Sequence, residues 1–502
     1  MRKAFTLAFL TLMLLMSNHV YLNDEMLVVL QVESVERGFS VEVEKLKSYI
    51  GTPWFELNGN KYAPFSYLLP ILAYPIYKLL LFLSNFGYPD LLLALIAPAG
   101  FLILSLEYKK YRIFSLAFFL ACILLFKPIY LFEDWAAVYA LKLVNVLATS
   151  MTAEILFRIL REEVDEKVAL SASFLFVFAT PVAYWTLSAK IHAISLLIIA
   201  SSFYFFRRYL KSDRTRDLLL SSLLAGFCFF ARALDGLIVC ISILLFLLML
   251  KRDRILYAFL GIFAGYIPCA LFSYALFSLP LPVEIIGNRF SNVSYIEASS
   301  LTETLSILPF VFFGMEKSTL GMLSYSPVLA SLIPLVIRAM RERKLLMSDF
   351  EKLLIIFAAA CLLIYLPYLK HGIIETNVRD HRFLLPLHLP LFYFIATRVR
   401  PELRLSSAAT VSCFFITTAV LTCLTKNFEA ISAAYFAISA FLNLLFIFAG
   451  RFRNRSDLFS LAFLPVAFLT SDAIRAYHGP YDIHFTNPVL DRLVEALIWL
   501  SV

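Results

Sequence analysis

Apolar runs of about 17 to 25 residues, separated by short basic clusters, recur along nearly the whole of this chain. No other feature restricts the fold as tightly. A run of that length crosses about 30 Å of hydrocarbon as an α-helix. Within lipid each backbone N–H and C=O must find its partner inside the protein, and an open sheet edge is not tolerated. Of the 502 residues, 61% are hydrophobic and only 16% charged, with a mean hydropathy of +0.81, far from a soluble domain's balance. The expected fold is all-α: a polytopic transmembrane helix bundle of roughly a dozen or more spans, with an elaborated first outer loop.

The first run, Ala4 to Leu22, follows Arg2 and Lys3. No small-x-small cleavage site comes after it, so it reads as a retained first helix instead of a secretory signal. With the N-terminus inside and each span reversing the side, one face collects the basic clusters "KKYR" (109–112), "RILREEVDEK" (158–167), "RRYLKSDRTR" (207–216), "KRDR" (251–254), "RAMRERK" (338–344), "RVRPELR" (398–404) and "RFRNR" (451–455). This works if Pro64 to Phe82 does not cross fully, and its Pro64, Pro70, Pro75 and Lys78 suggest a broken helix at the outer interface. The net charge of +8 is then the cytoplasmic excess of Lys and Arg, and no nucleic-acid partner is expected.

Outer segments follow from the same count: 23–87, 279–318, 369–382 and the tail after Asp472. Asn292 in "NVS" falls outside and Asn454 in "NRS" inside, so only the first is expected to be open to glycosylation. The seven cysteines lie inside apolar runs with no CxxC or Cys/His spacing. They read as packing residues, with neither a disulfide framework nor a zinc site expected. No internal repeat or soluble domain of usual size is visible.

Chemistry is confined to a few polar stretches. Asp24 and Glu25 stand side by side just after the first run, at the start of "EMLVVLQVESVERG". They suit a helix N-cap and first-turn carboxylate, and equally a general base held at the membrane surface. No GxGxxG or Walker loop is present and no two of the fifteen glycines form GxG, so a cradle for a nucleotide pyrophosphate is missing. A single phosphate needs only cations, and Lys61, Arg289, Lys370, Arg379 and Arg382 are available on the outer face. Arg232 in "FARALDG" joins them, with Asp235 three residues on. Arg379, Asp380, His381 and Arg382 crowd four polar groups against the start of a span, a costly arrangement unless they bind each other or a ligand. His192 follows Lys190 in "SAKIHAIS" near the outer end of a span and reads as an interfacial residue or a ligand.

The order of "DE", "NGNKYAPFSYLLP", "ATPVAYWTLSAKIHAIS", "LLAGFCFFARALDGL", "GMLSYSPVLASLIPL" and "HGIIETNVRDHRFLLPLHLPL" resembles the GT-C superfamily of membrane glycosyltransferases. The branch is the one related to protein O-mannosyltransferases and aminoarabinose transferases. The resemblance covers about residues 1–400 and leaves 401–502 as additional spans and an outer tail. It implies a catalytic acid in the first outer loop and a lipid-linked sugar entering from the bilayer. Asp24 matches the catalytic base and Glu25 its companion, Lys61 and Tyr62 a basic and an aromatic position, and Arg382 an arginine near the donor phosphate. His192 and His381 are possible contacts to substrate or to the divalent cation that some members bind.

Three departures leave the sugar open: Pro64 stands where relatives often have a proline pair, Phe383 replaces a common tyrosine, and "KHG" replaces a glycine pair. The expected activity is inverting transfer of a monosaccharide from a polyprenyl phosphate donor to a hydroxyl of a protein, lipid or glycan, on the extracytoplasmic face. Asp24 would take the proton while Lys61 and Arg382 neutralise the departing phosphate. A transporter or lipid-linked sugar flippase is the alternative. It calls for charged or broken positions deep in both halves and usually a repeat, whereas the clearest mid-span charges here are Lys127 and Lys142, both near outer ends.

Overall fold

Apolar runs become unbroken helices wherever no loop chemistry interrupts them. The computed structural model describes residues 3–20, 24–42, 54–107, 111–129, 131–290, 300–314, 321–342, 347–368, 382–403, 428–449 and 485–499. Its helices are α1 (Lys3–Leu15), α2 (Glu25–Glu33), α3 (Leu68–Ser84), α4 (Pro89–Glu107), α5 (Arg112–Leu124), α6 (Phe132–Leu160), α7 (Glu166–Phe178), α8 (Val182–Leu187), α9 (His192–Ser212), α10 (Thr215–Ala231), α11 (Ala233–Leu250), α12 (Ile255–Phe277) and α13 (Val283–Phe290). Later helices include Asp349–Tyr365 and His388–Phe394. Among the described residues, α4, α6, α9, α11 and α12 are long and apolar enough to cross a membrane. The expected all-α bundle is what forms.

The centre is α6, buried along most of its length, with α1, α3, α7 and α9 packed around it. Alanines 136, 137, 140, 148 and 153 keep its surface low and let neighbours approach. Helices α10 and α12 approach each other closely. A Cβ on Gly265 would sit 1.9 Å from the carbonyl oxygen of Leu223, and one on Gly226 2.0 Å from that of Ile262. Backbone therefore touches backbone. Gly265→Leu is expected to force the pair apart and to cost about 1–3 kcal/mol or more, read as a lowered Tm in detergent; an unchanged Tm would contradict this contact.

Ion pairs gather the basic clusters at one end. Lys3 meets Glu166 at 2.5 Å, Arg207 meets Glu163 at 2.5 Å, Lys251 and Arg254 meet Asp213 at 2.9 and 3.0 Å, and Arg398 meets Glu351 at 2.6 Å. The clusters at 158–167, 207–216 and 251–254 thus share a face with the chain's beginning, as their spacing predicts. The starts of α6, α9 and α11 lie at the opposite end.

Two expectations need correction. The first helix stops at Leu15, not Leu22, because the chain straightens and Met16 O accepts from Thr486 N–H at 2.8 Å. The segment expected as a broken helix contains one continuous helix, α3, which runs through Pro75. Pro70 lies in its first turn, where a missing N–H is tolerated, and burial of Leu68, Leu69, Ala73 and Leu80 holds the rest. Before α3, strands β1 (Phe55–Leu57) and β2 (Asn60–Tyr62) pair antiparallel around Asn58-Gly59. Both turn residues have positive φ, 52° and 77°, the left-handed pair that a two-residue hairpin requires.

Cys122, Cys228, Cys240, Cys269 and Cys361 are buried and unbridged, in keeping with a packing role. Cys413, Cys423, both sequons, Lys370, Arg379 and His381 lie outside the described residues, as does the side chain of Arg289.

Candidate active site

Toward the middle of α6, Lys142 and Asn145 stand one turn apart, both fully buried. Lys142 Nζ donates to the carbonyls of Ser17 at 2.8 Å and His19 at 2.5 Å, fixing the chain that leaves α1. Asn145 Nδ2 donates to the carbonyls of Ser188 and Lys190, both at 2.8 Å, fixing the turn between α8 and α9. One helix face therefore registers two loops against each other. Asn145→Ala leaves two buried carbonyls unpaired, at about 1–3 kcal/mol each. We expect a lower Tm in detergent, with an unaltered Tm as the contrary result.

The two loops meet through the adjacent carboxylates. Glu25 Oε2 accepts from Ala189 N–H at 2.9 Å, and Asp24 Oδ2 lies 2.6 Å from Lys190 Nζ and 3.9 Å from Arg382 Nη1. Asp24 precedes α2 but makes no side-chain cap bond, and its backbone is already helical at φ −75°, ψ −9°. The helix-cap reading of Asp24 is thereby replaced: its charge is turned to the cations. Burial works to raise the Asp24 carboxyl, yet Lys190 and then Arg382 outweigh it and hold the group below its usual range. Glu25 is fully buried, and burial pushes its carboxyl up to about 7, against the Ala189 N–H bond and nearby cations. It braces the 188–190 turn and does not line the neighbouring cavity.

That cavity has a volume of about 460 Å³. Its walls come from Val28, the Pro64–Ser66 stretch before α3, the Lys190–His192 turn, the Arg232–Leu234 junction of α10 and α11, Glu284 and Ile285 on α13, and Arg382 and Phe383. They are mostly apolar, and three cations reach into them. Lys190 Nζ lies 3.8 Å from the centre of the Phe65 ring. The Arg232 guanidinium lies 5.7 Å from the ring centres of both Tyr365 and Phe383 and pairs with Asp235 at 3.1 Å. Asp235 also accepts from Ser195 Oγ at 2.5 Å and from the Tyr365 hydroxyl, so Arg232 is held by a buried network. Arg382 sits 5.1 Å from the Phe383 ring centre. His192 lines the cavity with its ring 4.7 Å from Trp185, edge to face.

His192, Arg232 and Arg382 all line this cavity, and Asp24 adjoins it through its pairs with Lys190 and Arg382. Lys61 and Tyr62 do not: Lys61 lies over Trp54 at 5.3 Å, and Tyr62 packs among Phe55, Phe277 and Tyr67. Two residues were not anticipated. Lys190 carried a signal, an isolated charge within an apolar motif, which is costly unless partnered. Glu284 carried none, since only the fold brings it to the start of α11. Among the described residues no three His, Cys, Asp or Glu form a set able to hold a metal ion. Asp24 is engaged by two cations and Glu25 faces the 188–190 turn, so with His192 they do not fit a divalent cation.

A family model for dolichyl-phosphate-mannose-protein mannosyltransferases matches residues 123–278, the stretch from the end of α5 through α12. Among solved structures, the chain is similar to ArnT from Cupriavidus metallidurans in its crystal structure bound to undecaprenyl phosphate. Identity is 13% and the TM-score 0.51, with 98% of this chain and 76% of that one covered. The same protein in its apo state gives 14% identity, a TM-score of 0.49 and the same coverage. No curated protein sequence matches the chain. Identities this low speak to the fold.

Proposed function

We propose that the chain is a GT-C-type membrane glycosyltransferase that transfers a monosaccharide from a polyprenyl phosphate to an acceptor hydroxyl; the match of residues 123–278 to the mannosyltransferase family model and the ArnT-like fold support this. The observation that carries this reading is the cavity itself: Lys190, Arg232 and Arg382 on largely apolar walls, with the Asp24 carboxylate held between two of the three. One phosphate with a hydrocarbon tail needs that combination, and no nucleotide cradle. Two apolar lining side chains, Leu237 and Ile285, are 39% and 46% exposed and suit an isoprenoid chain. A structural relative crystallised with undecaprenyl phosphate supports the same donor class.

The reaction is a single inverting displacement. The acceptor oxygen attacks the anomeric carbon as the bond from that carbon to the phosphate oxygen breaks, and Asp24 takes the acceptor's proton. Polyprenyl phosphate leaves with its charge met by Arg232, Arg382 and Lys190, contacts that strengthen as charge develops. Phosphate is a competent leaving group, so one base suffices, unlike the carboxylate pair of glycoside hydrolysis. Lys190 takes the place first given to Lys61, which lies away from the cavity. Glu25 acts through the 188–190 turn and is a positioning residue. The gathering of basic clusters at the other end supports a cytoplasmic N-terminus and an extracytoplasmic site.

The test is transfer of label from a panel of polyprenyl phosphate sugars by membranes containing the protein. Movement of label into product supports the enzyme and names the sugar. Folded protein that moves none would overturn the reading in favour of a transporter or flippase.

A further inference from the structure

The transfer mechanism leaves one charged group of the cavity wall unused. Glu284 lies on α13, the short helix after α12, and faces the cavity beside Arg232. Its Oε2 accepts from the Ala233 N–H at 2.9 Å, at the first residue of α11, where a helix N-terminus favours negative charge. Only this bond is made by the carboxylate among the described residues, and the residue is part exposed toward the cavity. Among the residues that line the space Glu284 is the carboxylate, while Asp24 adjoins it through its pairs with Lys190 and Arg382.

The support behind Glu284 is built and not incidental. On α13, Gly287 abuts Pro64, where an added Cβ would come within 2.4 Å of the proline Cβ. Val283 and Ile286 pack into the aromatic cluster of Phe55, Tyr62, Tyr67 and Phe277. The helix is thus pinned against Pro64, and its acid is presented to the cavity from a fixed support.

We propose that Glu284 is the sugar-reading residue of this site, accepting hydrogen bonds from free hydroxyls of the donor's monosaccharide while the three cations hold the phosphate. This rests on the transferase reading above. A carboxylate acceptor makes hydrogen bonds roughly twice as strong as a neutral one. It also disfavours a sugar that carries a carboxylate of its own, so the pocket selects neutral sugars over uronic acids. Burial works to raise the Glu284 carboxyl, and Arg232 beside it and the Ala233 N–H oppose that by favouring its ionised form.

The test is equilibrium binding to the full-length protein in nanodiscs of three probes: bare polyprenyl phosphate, the same lipid carrying a neutral hexose, and the same lipid carrying a uronic acid. Wild type is expected to bind the hexose lipid about 10- to 100-fold more tightly than the bare lipid and to disfavour the uronic acid. Glu284→Gln retains an acceptor oxygen for the Ala233 N–H, and is expected to bind bare lipid as wild type does while losing both preferences. Equal preferences in wild type and Glu284→Gln would overturn the sugar-reading role and leave the transferase reading standing. Loss of bare-lipid binding as well would make Glu284 a structural cap and nothing more. Failure of wild type to bind any of the three would overturn both readings. Glu284→Ala, which lacks the acceptor, reports separately on the α11 cap through its Tm.

Discussion

Asp24→Asn is expected to lower sugar transfer by about 10²- to 10⁴-fold, the usual contribution of a positioned general base, while leaving lipid phosphate bound. Asparagine has nearly the same shape, so the packing beside the cavity is kept. The change removes the charge that sits 2.6 Å from Lys190 and 3.9 Å from Arg382. Both cations then lose a competitor for the phosphate, and bare polyprenyl phosphate should bind at least as tightly as before. This separates chemistry from architecture. Breaking a buried ion pair from one side can cost about 3–5 kcal/mol, though Lys190 keeps its contact with the Phe65 ring. If the variant lost transfer and phosphate binding together with its Tm, Asp24 would be a structural ion. If it lost neither, Asp24 would not be the base.

How far the sequence alone leads depends on what kind of information each feature needs. Runs of apolar residues report a helix from local composition, which is why α4, α6, α9, α11 and α12 were legible without the fold. The shared face of the basic clusters was legible too, because it depends only on counting reversals, and the Lys3–Glu166 and Lys251–Asp213 pairs realise it. Asp24, Arg232, His192 and Arg382 could be named because each stands in a polar interruption of an apolar run. That Lys61 lies away from the cavity is not legible in the sequence, because a hairpin's register decides which way its residues face. Here the Asn58-Gly59 turn puts Lys61 across from Glu56 and over Trp54. The end of α1 at Leu15 was also invisible, since it depends on a contact with Thr486, 470 residues away.

The same distinction gives Lys190 its consequence. Lys190→Met keeps the apolar stem and removes the ammonium, so Asp24 loses its nearest partner and retains only Arg382 at 3.9 Å. Burial, already the largest influence on the Asp24 carboxyl, acts to raise it. The base must be ionised to accept a proton, so the acid limb of the pH–rate profile reports this group. In the wild type the limb lies below the usual carboxylate range, and in Lys190→Met it moves up. The sign holds for stability as well. A carboxyl depressed by its partner stabilises the fold above its unfolded pKa and loses that support as pH falls through the folded value; without Lys190 the support is absent. At neutral pH we expect transfer to fall by about 10²-fold or more, the cost of truncating one side of a buried charge pair, and to fall further on acidification toward pH 5. Rates measured from pH 5 to 9 check both parts. A rate loss with an unmoved acid limb would show that Lys190 serves the phosphate while some other group takes the proton.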